Sequence, residues 1–164
     1  MNSVAPVTME VDGLRLIDRA LQHAARMTGV VSPEQAAERI RGGDISAYLY
    51  FRYALAKEAV AKVASIHDGV SGAYLFLENR CDTFPGEPIL VGVVVPVKTA
   101  ALRSLIDAVS EAVQNEVGRR FPALRSYDSL IDWVILDESD LTKRTGVATL
   151  LSSVNEPPIQ IWPQ

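Results

Sequence analysis

The apolar positions of the chain follow helical spacing first and extended spacing later. Leu14, Ile17, Leu21, Ala24 and Ala25 recur at three- and four-residue intervals, with Arg15, Asp18, Arg19, Gln22 and Arg26 between them. This predicts an amphipathic helix over Val11 to Met27 that stops at Gly29, with residues 1–10 as a leader. Ser32-Pro33-Glu34-Gln35 reads as a second start: a capping serine, proline at the first helical position, then an acid and an amide in the first turn. That helix runs to about Ile40 and ends at Gly42-Gly43. Asp44 caps a third, which continues to about Ile66. Its apolar residues Ala47, Tyr48, Phe51, Leu55, Ala59, Val63 and Ile66 are joined by Tyr50, Ala54 and Ala61 on neighbouring faces. A stripe this wide is expected to be buried on two sides, by the protein's own sheet and by another helix or subunit.

Past the turn at His67-Asp68-Gly69 the period changes. Ser71 to Glu78 reads as a strand, and Asn79 to Glu87 as a polar loop with turn chemistry at Pro85-Gly86. Pro88 to Val97 is a nearly unbroken apolar run, the pattern of a central strand covered on both faces. Thr99 to Arg119 returns to helical spacing, with Leu102, Leu105, Ile106, Val109, Val113 and Val117 inward. Phe121 to Leu130 reads as a short irregular or helical piece, and Ile131 to Leu136 as a third strand. Glu138 to Val154 is a loop or weak helix broken at Gly146. Pro158 to Trp162 is a last strand whose flanking prolines suit a sheet edge. The predicted class is α/β (α+β): a small mixed sheet of about four strands, a long covering helix and an N-terminal helical segment. Residues 1–44 form the helical extension and 45–164 the α/β domain, expected as one unit.

Composition narrows the function. The 164 residues carry a net charge of −4 and are 48% hydrophobic, with slightly positive mean hydropathy. That is enough for a real core, and it argues against a broad nucleic-acid surface, which requires a basic excess. The apolar balance and the stripe on the third helix predict a homodimer or a protein partner. Cys81 is the single cysteine, so no internal disulfide and no cysteine-based zinc site is expected. No run of about 18 apolar residues predicts a membrane span. The N-terminus has neither a basic start nor an apolar core, and a cytoplasmic protein is expected.

The order helix, strand, loop, strand, long helix, strand beginning with an acid, and short final strand resembles a minimal nucleotidyltransferase of the DNA polymerase beta-like type. The resemblance rests on Tyr74-Leu75-Phe76, Leu90 to Val95, Ile131-Asp132-Trp133-Val134-Ile135-Leu136 and Pro158-Ile159-Gln160-Ile161-Trp162, and it covers roughly residues 45–164. In that family the first strand ends in Gly-Ser and the second opens with Asp-x-Asp. A third carboxylate stands on the next strand, and the three hold two magnesium ions on nucleotide phosphates. The resemblance therefore implies a nucleotide ligand and, in an active enzyme, Mg²⁺. This chain has Leu77-Glu78 at the Gly-Ser position and Glu87-Pro88-Ile89 at the Asp-x-Asp position, so only Glu87 and Asp132 remain as metal and catalytic candidates. The implied protein is a nucleotidyltransferase fold with a degenerate catalytic motif, acting as a binding or regulatory module. The alternatives are an active Mg²⁺-dependent transferase that recruits a third acid such as Glu78 or Asp82, and a roadblock- or ferredoxin-like scaffold for protein–protein interaction.

The remaining candidates each carry a plain structural reading. Glu78, Arg80 and Asp82 could line a ligand mouth or simply solvate a hairpin. Lys98 and Arg103 flank the start of the long helix and could hold a phosphate with Lys143 and Arg144, or be ordinary surface charge. Cys81 reads as inert, since Asp82 opposes a thiolate. His67 suits a helix end, and His23 reads as exposed without a partner. Tyr48, Tyr50, Phe51 and Tyr53 could stack a base, or belong to the core or an interface.

Overall fold

The computed structural model describes residues 11–76, 88–124, 130–144, 146–152 and 157–163. Helix α1 spans Gly13–Thr28, α2 Pro33–Arg41, α3 Ile45–Ile66, α4 Ala100–Arg120 and α5 Glu138–Lys143. Strands β1 Gly72–Phe76, β2 Ile89–Val94, β3 Ile131–Leu136 and β4 Ile159–Trp162 form one sheet in the order β3-β2-β1-β4. Short 3₁₀ turns occupy Pro122–Leu124 and Gly146–Ser152.

The helix starts lie where short polar side chains can accept the orphan backbone N–H groups of a first turn. Asp12 accepts from Arg15, Ser32 from Gln35, Asp44 from Ala47 and Thr99 from Leu102. Asp137 and Asp140 close a reciprocal capping box on α5. Gly29 ends α1 in the left-handed conformation at φ 70° that glycine adopts without a steric penalty.

Strands β2 and β3 run parallel and are joined through α4, while β1 is antiparallel to both β2 and β4. Residues alternate between the two faces of a strand. Ala73, Leu75, Ile89, Val91, Val93, Ile131, Ile135 and Ile161 belong to the core shared with α1, α2, α3 and α4. Most of the wide stripe of α3 is covered within the chain, by α1, α2 and α4 and by β2 and β4, while Tyr50 and Ala61 are half-buried and Ile66 at its end stays exposed. Tyr48, Phe51 and Leu55 are all buried there. Burial of these central residues is achieved without a second subunit. Arg120 of α4 pairs with Asp18 of α1 at 2.7 Å, and Arg41 of α2 donates to the Arg120 carbonyl at 3.0 Å, tying the helical segment to the end of α4.

Strand β2 is central, as expected, but its two faces differ. The face away from the helices carries half-buried Leu90 and Val94. Phe76 and Leu136 are buried there beside Gly92, where an added methyl would stand 2.9 Å from Phe76 Cε2 and 3.5 Å from Leu136 Cδ1.

Candidate functional site

The site predicted from the resemblance lies at the start of β3. Asp132 is exposed, and its register partner across the parallel β2–β3 pair is Leu90. Gly92 and Val134 follow on the same face. Ile89, which aligns with the second acid of the family motif, is instead the partner of Ile131 and belongs to the buried core. The register therefore turns Ile89 and Asp132 to opposite faces of the sheet. Glu78, Arg80, Cys81, Asp82 and Glu87 lie outside the described residues, as does the Asn79–Glu87 loop that would carry the phosphate grip. Among the described residues no three His, Cys, Asp or Glu side chains converge as a metal-ligand set. Magnesium needs several hard oxygens, and the β2 residues beside Asp132 offer it none.

Lys98 and Arg103 sit before and within the first turns of α4. Lys98 does not stand ready for an anion: its Nζ pairs with Asp140 of α5 at 2.7 Å. The hydrogen bond from Lys98 holds the Asp140 carboxyl below the usual range, helped by the backbone N–H of Asp137. This pair bridges the segments that follow the parallel strands β2 and β3. Arg103 is exposed. Lys143 lies in the last turn of α5, and Arg144 follows in a left-handed conformation at φ 50°. His67 caps the end of α3, its backbone N–H donating to the Val63 carbonyl at 2.9 Å.

His23 departs from its sequence reading. It is half-buried between α1 and α3, with ring centroids 6.5 Å from Tyr50 and 6.2 Å from Tyr53. Tyr48 and Phe51 turn into the core, whereas Tyr50 and Tyr53, on another side of α3, flank the imidazole. Lys57 lies over the Tyr53 ring at 5.5 Å. Desolvation lowers the His23 pKa, and the nearby charges of Arg26 and Lys57 lower it further. A histidine whose folded pKa is depressed binds its proton more readily in the unfolded chain. Its linkage therefore favours folding less as pH falls below the ordinary histidine value of about 6.5. Urea unfolding from about pH 7.5 to about pH 5.5 is expected to show a loss of stability that is smaller in His23→Gln. Equal slopes in the two proteins would remove His23 as the cause.

Sequence spacing could have suggested the His23 contact only by pairing α1 with α3 in advance. Neither helix alone carries that signal. The chain defines an α+β domain with a mixed four-stranded sheet and a helical layer on one face. Compared with known proteins, it matches no family model, no curated protein and no solved structure. Among the described residues no helix is long and apolar enough to cross a membrane.

Proposed function

We propose that this chain is a nucleotidyltransferase-like domain without transfer activity, acting as a binding or regulatory module. The observation that carries the reading is the register at the start of β3, where Asp132 stands beside Leu90 and Gly92 rather than beside a second acid. Two-metal transfer needs carboxylates that converge from neighbouring strands on one face. Apolar residues at those positions cannot hold a divalent ion or share it with a phosphate. The frame that supports a nucleotidyltransferase-like reading is the parallel β2–β3 pair joined by α4, with the antiparallel β1 on the other side of β2.

The test is a thermal-shift panel of nucleotides with and without Mg²⁺, wild type beside Asp132→Asn, followed by a nucleotidyl-transfer assay. No transfer is expected from either protein. A nucleotide present at about 100 times its dissociation constant adds roughly 2.7 kcal/mol of stability, a clear shift if the site still binds. Strong Mg²⁺-dependent transfer that Asp132→Asn abolishes would overturn the reading. Absence of any shift would overturn the nucleotide ligand and leave protein partners as the object of the module.

A further inference from the structure

We propose that the groove between α1 and α3 binds a small phosphate-bearing anion, at a site separate from the end of the sheet. The groove is an open depression of about 280 Å³, just below the range for ligand sites. Arg15 and Arg19 of α1 line it together with Lys62 of α3. Leu16 and Ala61 supply apolar lining beside them. The two acids in the lining are engaged. Asp12 accepts the Arg15 backbone N–H at 3.1 Å as the cap of α1, and Glu58 accepts from Arg19 at 3.4 Å. The hydroxyl of Ser65 donates to the Lys62 carbonyl at 2.7 Å. Among the described residues, the side chains of Arg15 and Lys62 take part in none of the ion pairs.

Position 15 has neighbours of both signs: Asp12 and Asp18 stand three residues to either side of it on or beside α1. Arg19 is a like charge one helical turn away, an unfavourable spacing on a helix surface. Arg15 also lies in the first turn of α1, where the backbone dipole favours acids. Lys62 faces the same cavity from the other helix. A phosphate in the groove is attracted by Arg15, Arg19 and Lys62 and repelled by Asp12 and Glu58, so the cations outnumber the acids by one. The planar guanidinium of Arg15 suits two phosphate oxygens, and the ammonium of Lys62 supplies a point charge. Leu16 and Ala61 give an apolar substituent on the phosphate a place to lie. The fitting ligand is a small phosphomonoester with an apolar body.

Phenyl phosphate titrated into the isotope-labelled full chain without Mg²⁺, and followed by amide chemical shifts, tests this. Inorganic phosphate and phenol serve as comparison arms. Saturable shifts are expected around Arg15 and Lys62, with phenyl phosphate binding more tightly than either comparison. Arg15→Gln and Lys62→Gln are each expected to weaken binding about tenfold. Ligand-free Arg15→Gln is expected to melt no lower than wild type, because Arg15 is exposed and takes part in none of the ion pairs among the described residues. Asp132→Asn is expected to bind phenyl phosphate as wild type does, which separates this groove from the sheet. The proposal is overturned by no saturable shift, by shifts retained in both groove variants, or by loss of binding in Asp132→Asn. It is also overturned if Arg15→Gln melts clearly lower, since Arg15 would then serve the fold.

Discussion

Phe51→Ala is expected to lower the unfolding free energy by about 3–5 kcal/mol. Phe51 is fully buried on α3, in the layer between α1 and the sheet. Its ring lies 5.5 Å from that of Phe121, which follows the last residue of α4. Arg41 of α2 stands over the other member of this pair, 5.6 Å from the Phe121 centroid. Truncation removes the transfer energy of a large ring and leaves a space between three helices that are held by other contacts. Those contacts include the Arg120–Asp18 pair and the bond from Arg41 to the Arg120 carbonyl. The helices are therefore poorly placed to close the gap, and the cavity term adds to the transfer term. Urea unfolding with an unchanged m-value is the measurement. A loss below about 1 kcal/mol would mean that Phe51 is not the packing centre of the helical layer.

Gly13→Ala sets local propensity against tertiary fit. Alanine is favoured over glycine in a helix interior by about 1 kcal/mol, and by less at a first helical position such as Gly13, so α1 alone should gain slightly from the change. In the folded chain Gly13 lies against α4, and a methyl built on it would overlap the carbonyl oxygen of Ala112. That obstacle is helix backbone and cannot rotate away as a side-chain tip can. The two helices must separate, at a cost of about 1–3 kcal/mol for an overpacked contact. Net destabilisation of the protein is expected, together with higher helicity of an isolated α1 peptide carrying the same change. Circular dichroism of the peptide and urea unfolding of the protein check the two halves. A protein stabilised by Gly13→Ala would show that the α1–α4 approach is looser than described.

The strand and helix order was legible because its signals are local. Asp12, Ser32, Asp44 and Thr99 act on backbone groups three residues away, and the apolar spacing of α4 names its inward residues before any partner is known. The predicted Ile131–Leu136 strand matches β3, and the expected weak helix after Glu138 is the short α5 followed by a 3₁₀ turn. The candidate site was less legible. Asp132 could be picked out as an acid at a strand start, but not the face to which it turns. A shift of one residue between β2 and β3 exchanges those faces. The observed register gives Asp132 to Leu90 and sends Ile89 into the core.

The same division holds for the charges. Lys98 and Asp140 are far apart along the chain, and the β2–β3 pairing brings the segments that carry them together. His23 reads as exposed on an isolated helix and becomes half-buried once α3 presents Tyr50 and Tyr53 to it. Arg15 and Lys62 share a groove only because α1 lies along α3.

By itself the sequence determined the elements, the caps at Ser32 and Asp44 and the α+β class, since each depends on interactions within a turn or two of the chain. The tertiary structure alone decided which faces meet: the inward turn of Ile89, the covering of most of the α3 stripe from within the chain, and the contact at Gly13. Those outcomes depend on register and close packing between distant segments, where a single residue or a single methyl changes the sign of the energy.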